Sequence, residues 1–196
     1  MTNNDLPPQS DFLPKDVARI AAIADKTKRG LYVMALISEK VSGIKPVIVG
    51  GFAMEFYSTG GYRTSDVDAL YLYPEAIGRL LEQLGFIKRQ RHWVSEAYDL
   101  LIEFPGHAIE ARARERLTDV SIDGKIITLI GIEDLILDRL NGFVQFHSTD
   151  DRHWARELLV MYHDHLDLNY LRQQSAVDKT DVALEALLTT LPPVTP

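Results

Sequence analysis

The feature that most constrains the fold is a pair of glycines at the end of a short β-branched segment. Residues 46–49 predict a buried strand, and Gly50 and Gly51 follow it directly. Glycine lets the backbone turn sharply and bring bare amide groups close to an anion, and the N-terminus of a following helix adds a favourable partial charge. We therefore expect a strand, a sharp turn and a short helix over residues 52–57. A double glycine alone also suits a helix that packs tightly on a strand.

Two aspartates follow about one helix later. Asp66 and Asp68 are two positions apart in a predicted strand over residues 66–73, so both carboxylates project from one face, about 7 Å apart along the backbone. Like charges at about 6 Å repel by roughly 2–3 kcal/mol at an effective dielectric constant near 20, and aspartate is a poor strand former. A divalent cation would remove the repulsion, and hard oxygen ligands with open positions suit Mg²⁺. The alternative is a turn or strand edge whose charges point to solvent.

A third carboxylate is expected from residues 98–104, a mostly apolar segment that predicts another strand. Glu103 near its end needs a paired neighbour or a metal, because a charge among apolar residues is costly to bury. Asp99 has the same strand parity and is the weaker candidate. Glu103 as an ordinary edge residue is the alternative interpretation.

The composition limits the class of protein. A formal net charge of -7 over 196 residues disfavours a broad nucleic-acid surface, which usually needs a basic face. The chain has no cysteine, so disulfides and thiolate metal sites are excluded. It also has no apolar run near the roughly 20 residues of a membrane span and no secretory signal at its start. We expect a soluble, cytoplasmic protein with no membrane partner. The sequence leaves two candidate basic patches, one formed by Lys88, Arg89 and Arg91 and the other by Arg112, Arg114 and Arg116.

Three regions are expected along the chain: a tail with N-terminal helices over residues 1–44, a core over residues 45–131 and a helical region over residues 132–191. Gly30 is the candidate break between two N-terminal helices. Both ends of the chain carry prolines and predict loose tails.

The core is expected to be an α+β fold, a small mixed sheet of about five strands flanked by helices. Residues 86–94 predict one strand, and the arms around Asp123-Gly124 predict a hairpin. Residues 74–84 predict a helix, because a proline begins the segment and a glycine follows it. The C-terminal region is expected to wall the cleft with helices over residues 133–144, 152–165 and 179–191.

Taken together, these residues resemble a known superfamily. Gly50-Gly51, a short helix, Asp66-x-Asp68 and a distal carboxylate on a neighbouring strand look like the DNA polymerase β-type nucleotidyltransferases, in their minimal bacterial and archaeal branch. That branch includes small antibiotic nucleotidyltransferases and the AbiEii-type toxins of toxin–antitoxin systems. The resemblance covers about residues 45–165, and residues 62–68 are its most specific part. Residues 133–140 are similar to the family's helix after the sheet, which supplies a basic residue near the nucleotide.

The resemblance implies a role for each residue of the motif. Gly50 and Gly51 would hold the triphosphate of an NTP such as ATP. Asp66 and Asp68 would bind two Mg²⁺ ions, and Glu103 would complete one metal site, which makes these acids the catalytic residues. Glu103, or Asp66 with its metal, would help to deprotonate an acceptor hydroxyl. The implied reaction is in-line attack on the α-phosphate of the NTP, with release of pyrophosphate.

Four further residues are candidate nucleotide contacts. Arg63, Thr64 and Ser65 directly precede the acids and could contact phosphate, while Arg63 could equally pair with an acid and orient the loop. Arg139 on the helix after the sheet could reach a phosphate, or it could be an ordinary salt-bridge residue.

The chain departs from the commonest family pattern at two positions. Gly51 stands where many members have serine, a change that is common in the toxin-like branch, and the third acid is Glu103 where aspartate is usual. The acceptor stays open between a tRNA or protein, in a toxin-like role, and a small cationic molecule of the aminoglycoside type. A different class also stays open: an inactive member that binds nucleotide, or one that pairs with an antitoxin. A homodimer is a further candidate partnership.

Overall fold

The computed structural model describes residues 11–106 and 109–191. Helices and strands alternate through the core of the chain, and the part after β7 contains helices. The strands are β1 Val47–Ile48, β2 Val67–Leu70, β3 Ile87–Arg89, β4 His92–Ser95, β5 Leu100–Gly106, β6 Thr118–Ile122 and β7 Lys125–Leu129. The helices are α1 Pro14–Ala22, α2 Lys26–Lys40, α3 Gly50–Tyr57, α4 Pro74–Gln83, α5 Ile132–Phe146, α6 Thr149–Tyr162, α7 Leu168–Asp178 and α8 Asp181–Leu188. The predicted tails at residues 1–10 and 192–196 lie outside the described residues.

The strands form one mixed sheet in the order β3-β4-β5-β2-β1-β7-β6. At its centre β1 is antiparallel to β2 and parallel to β7, and β2 is parallel to β5. This confirms the predicted α+β fold with a mixed sheet flanked by helices. The sheet has seven strands where about five were expected, and one of the additional strands arises because residues 86–94 form two strands. Gln90 turns the chain there with a φ of 57°, and β3 and β4 pair as an antiparallel hairpin.

The N-terminal helices break at a different place from the one predicted. Gly30 lies inside α2, where an added Cβ would come within 2.7 Å of Phe52 Cζ, so glycine at this position lets α2 and α3 approach closely. The break lies before Lys26 instead. Asp25 caps α2 there, since its side chain accepts a hydrogen bond from the Lys28 backbone N–H at 2.8 Å.

Both predicted turns of the core are confirmed. The helix α4 begins at Pro74, and Gly85 adopts a φ of 84° just after the helix ends. Asp123 and Gly124 both have positive φ, 49° and 80°, and join β6 to β7 in an antiparallel hairpin.

The C-terminal part of the chain is helical, as predicted, and is joined to the core by α5, which contacts α3, α6, α7 and α8. The helix predicted over residues 152–165 begins earlier, at Thr149, and ends in a short 3₁₀ segment, His163–His165. The sequence did not predict α7, in which Leu171 and Ser175 are the buried positions. Each helix in the described part of the chain is too short or too polar to span a membrane.

Candidate metal centre

Three acidic side chains meet where two parallel strands lie side by side. In the register of β2 and β5, Asp68 is the direct partner of Glu103, and Asp66 lies just before β2. Val67 and Ala69 are buried on the opposite face of β2, so strand alternation turns Asp68 away from that core. One carboxylate oxygen from each of the three acids lies within 4.8 Å of those of the other two. The structure therefore brings together the three residues that the sequence predicted as metal ligands.

The donor set of these acids suits a hard divalent cation. Burial, together with the negative charges of Asp66 and Glu103, raises the pKa of Asp68 from 3.8 to about 6. A cation between the three carboxylates would offset this repulsion, and carboxylate oxygens are the ligands that Mg²⁺ takes. Asp66, Asp68 and Glu103 are thus the residues that fit a metal, while their catalytic roles stay predictions.

The diglycine corner lies directly against this centre. Gly50 has a φ of 59°, and a Cβ added there would come within 2.7 Å of Asp68 Oδ2, so a larger residue would collide with the carboxylate. The Gly51 backbone N–H at the start of α3 donates a hydrogen bond to the Asp68 side chain. A Cβ at Gly51 would meet Thr64 Oγ1 at 3.1 Å, so the close approach of Thr64 favours glycine at this position.

The loop before β2 is held by Glu55, a buried residue of α3 that the sequence analysis did not single out. Glu55 Oε1 accepts hydrogen bonds from Arg63 Nη1 at 2.9 Å and from Thr27 Oγ1, and its Oε2 accepts from the Thr64 backbone N–H at 3.2 Å. Arg63 therefore pairs with an acid, which is one of its two predicted roles. Thr64 Oγ1 in turn donates to Asp66 Oδ1 at 2.7 Å.

The two remaining candidate contacts differ in their surroundings. Ser65 is exposed, and its Oγ lies 3.5 Å from Asp66 Oδ1. Arg139 forms ion pairs with Asp138 and, at 2.7 Å, with Asp151, as its salt-bridge interpretation predicted. Its positive charge also acts on the Asp68 carboxylate and lowers that pKa. The buried Nε of Arg139 has no hydrogen-bond partner among the described residues.

A cavity of about 490 Å³ adjoins two of the three acids, Asp68 and Glu103. Gly50, Asp68 and Glu103 line one side of it, and Arg139 lines the wall formed by α5. This volume lies in the range of small-molecule sites. A second cavity of about 650 Å³ is lined by Glu55 and Arg63 and includes none of the three acids. Arg63 therefore lines a different cavity from Arg139.

No protein-family model matches the chain, and no curated protein matches it. Among solved structures, an antigenic nucleotidyltransferase-like protein from Paracoccidioides brasiliensis superimposes with a TM-score of 0.52 at 16% identity, over 86% of this chain and 94% of that chain. The chain therefore has a nucleotidyltransferase-like fold. The antibiotic-resistance factor ANT(2'')-Ia is also similar, with a TM-score of 0.45 at 14% identity, over 89% of this chain and 93% of that one. At such identities the likeness concerns the fold alone, and the AbiEii-type branch stays a prediction.

Within this nucleotidyltransferase-like fold, Glu103 has two basic partners that the sequence did not reveal. His92 is its direct neighbour across β4 and β5, with Nε2 2.9 Å from Glu103 Oε2, and Arg91 Nε lies 3.3 Å from Oε1. The sequence predicts a single strand over residues 86–94, and a single strand gives no sign of this pairing. The weaker candidate for the third acid, Asp99, does not belong to this cluster. It lies in the turn before β5, where it pairs with Lys26 at 3.5 Å.

The candidate basic patches are mostly neutralised. Four of their six members form ion pairs with neighbouring acids: Arg89, Arg91, Arg112 and Arg116. Within residues 11–106 and 109–191, Lys88 and Arg114 form no such pair, and Lys88 lies over the ring of Trp93 at 5.7 Å. Little free positive charge is therefore left at these patches for a phosphate backbone.

Proposed function

We propose that this protein transfers a nucleotidyl group from an NTP to an acceptor, with Mg²⁺ as the cofactor. The observation that carries the proposal is the convergence of Asp66, Asp68 and Glu103 within 4.8 Å, beside the cavity that Gly50 also lines. The likeness to a nucleotidyltransferase-like protein supports the same chemistry.

In this proposal each group of the site has a distinct task. Asp66, Asp68 and Glu103 would hold the metal, and bound Mg²⁺ would supply positive charge that stabilises the triphosphate and the transition state of its α-phosphate. Gly50 leaves the start of α3 free of a side chain, so phosphate oxygens can approach the amides and the positive end of the helix dipole. Arg139 adds a cation to the wall of the same cavity.

The proposed reaction exchanges one bond at phosphorus for another. The acceptor hydroxyl loses its proton to Asp66 or Glu103, and its oxygen then forms a bond to the α-phosphorus. The bond between that phosphorus and the bridging oxygen breaks in line, and pyrophosphate leaves with the electron pair. The Glu103 carboxylate keeps one orientation during this step, because the residue is only 8% exposed and is paired with His92.

The charges around the site bear on the choice of acceptor. A tRNA would have to find free basic residues, since phosphate neutralisation dominates such binding. Most of the candidate basic residues are already paired, and the chain carries a net charge of -7. These observations support a small cationic acceptor over a tRNA. They leave a protein acceptor as a further candidate.

The test is label transfer from each α-labelled NTP in the presence of Mg²⁺. Cellular RNA, cellular protein and a set of aminoglycosides would be offered as acceptors, beside a double Asp66→Asn/Asp68→Asn variant. We expect pyrophosphate release and a labelled acceptor with the wild type, and neither with the variant. Magnesium-dependent NTP binding without pyrophosphate release would identify a nucleotide-binding protein that does not catalyse transfer. Absence of NTP binding would exclude both functions.

A further inference from the structure

Asp66 is the one acid of the centre that the sheet does not hold. Asp68 and Glu103 are partners in the parallel ladder of β2 and β5, whereas the first paired residue of β2 is Val67. Asp66 lies outside the ladder, so the position of its carboxylate depends on the segment that leads into β2. Within that segment Thr64 makes the shortest contact to it, a hydrogen bond from Oγ1 to Asp66 Oδ1 at 2.7 Å.

Thr64 is itself fixed by the buried carboxylate of Glu55. The Thr64 backbone N–H donates to Glu55 Oε2 at 3.2 Å, while Glu55 Oε1 accepts from Arg63 and from Thr27 of α2. Only 4% of Glu55 is exposed, and both of its oxygens have partners. A carboxylate in such a position is costly to bury unless donors satisfy it, and here the donors come from α2 and from the loop.

Gly51 lies beside the Thr64 side chain. A Cβ at Gly51 would stand 3.1 Å from Thr64 Oγ1 and 3.3 Å from Thr64 Cβ, so a larger residue at position 51 would press on Thr64. Glycine at this corner therefore leaves room for Thr64 in the position from which its hydroxyl donates to Asp66.

We propose that Glu55 is a positioning residue for Asp66 and acts through Thr64. The inference rests on the proposed function in one respect, because it takes Asp66 as a metal ligand. Glu55 holds the backbone two residues before Asp66, and the Thr64 hydroxyl passes that restraint to Asp66 Oδ1. The metal centre then has two acids oriented by strand pairing and one oriented by this chain of hydrogen bonds.

Groups that orient a ligand typically change metal affinity or activity by about 10- to 100-fold when they are removed. We therefore expect Glu55→Gln and Thr64→Val to weaken metal binding by at least tenfold. Thr64→Ser keeps the hydroxyl and should bind within about threefold of the wild type, on the same reasoning. The double variant Glu55→Gln/Thr64→Val should bind the metal no more weakly than the weaker-binding single variant, because both changes interrupt the same chain of hydrogen bonds.

The experiment is a titration of the full-length protein with Mn²⁺ alone, in which electron paramagnetic resonance counts the free ion. Mn²⁺ prefers the same oxygen ligands as Mg²⁺. The matched control is Glu39→Gln, which removes another helix carboxylate and its ion pair with Lys125, at a position outside the site. The melting temperature of each variant is measured in parallel, and Thr64→Val tests the same path should Glu55→Gln fail to fold.

The outcomes separate positioning from general stability. Weaker Mn²⁺ binding in Glu55→Gln and Thr64→Val, with Thr64→Ser and Glu39→Gln unchanged, supports the proposal. Lower melting temperatures with unchanged Mn²⁺ affinity would assign Glu55 a structural role only and overturn it. The readout needs no NTP and no acceptor. A protein that shows the Mn²⁺ pattern but transfers no label would retain the positioning role while losing the proposed function.

Discussion

Replacing Asp68 with asparagine should stabilise the protein when no metal is bound. The Asp68 carboxylate is half-buried, and the charges of Asp66 and Glu103 face it, so burial and repulsion raise its pKa from 3.8 to about 6. Asparagine has nearly the same shape and can still accept the hydrogen bond from the Gly51 N–H. The substitution therefore removes an unfavourable charge and keeps the packing.

The size of the effect follows from the pKa. The rise of the Asp68 pKa from 3.8 to about 6 corresponds to about 3 kcal/mol of free energy that ionisation of Asp68 costs the folded state. Because the folded-state pKa is raised, this cost is absent below pH 4, develops between about pH 4 and pH 6, and is complete above pH 6. At pH 7.5 we expect Asp68→Asn to unfold with a free energy about 2–3 kcal/mol higher than the wild type, or roughly 5–10 °C higher in Tm. At pH 4 the two proteins should be equal.

The assay is urea or thermal unfolding with EDTA at several pH values, repeated with Mg²⁺. The control is Asp99→Asn, which removes the same charge from an exposed turn residue that can keep its positive φ as asparagine. Saturating Mg²⁺ should narrow or reverse the difference, because a ligand that binds only the folded wild type stabilises it. A metal-free Asp68→Asn protein that is no more stable than the wild type at pH 7.5 would refute the reasoning.

Three other substitutions test the packing around the centre. Gly50→Ala places a methyl group against the Asp68 carboxylate at a residue with positive φ. We therefore expect lower stability in urea unfolding and at least tenfold weaker Mn²⁺ binding. Mn²⁺ binding equal to that of the wild type would contradict the close approach of residue 50 to Asp68. Gly30→Ala should lower the free energy of unfolding by roughly 1–3 kcal/mol without changing Mn²⁺ affinity, since its methyl would meet Phe52 of α3 and Val67 on the face of β2 opposite to Asp68, and a stabilised variant would show that the ring of Phe52 moves freely. Glu103→Asp should bind Mn²⁺ at least tenfold more weakly, because the shorter side chain withdraws from His92, and equal or tighter binding would contradict this.

Local chemistry made parts of this molecule predictable. The glycine pair, the Asp-Gly hairpin and the proline and glycine that bound α4 each depend on backbone conformations that few residues adopt, so sequence alone located them. The three acids could be proposed from sequence because a charged residue inside or beside an apolar strand is costly unless a partner or a metal offsets its charge. Their meeting depends on β2 and β5 being parallel neighbours in the sheet, although 29 residues, 71–99, lie between the two strands in the chain.

Features that depend on tertiary contacts could not be predicted. The break between β3 and β4 occurs at Gln90, which is not a typical turn residue, and the pairing of His92 with Glu103 follows from that break. Glu55 looked like an ordinary polar position of a short helix, because its partners lie on α2 and on the loop before β2. The sequence predicts a helix break at Gly30, but the small size of this residue instead allows close contact between α2 and α3.

The glutamate at position 103 is consistent with the way this sheet presents the acids. Asp68 is the strand partner of Glu103, but Asp66 lies beyond the end of the ladder, and a third ligand on β5 has to reach toward both. A longer side chain gives that reach, while His92 on β4 and Arg91 beside it limit the conformations that the extra methylene would otherwise allow. An aspartate at this position would be shorter and would have weaker contact with these two partners. The length of Glu103 is therefore matched by neighbours that suit it, and its fit to the metal centre depends on that length.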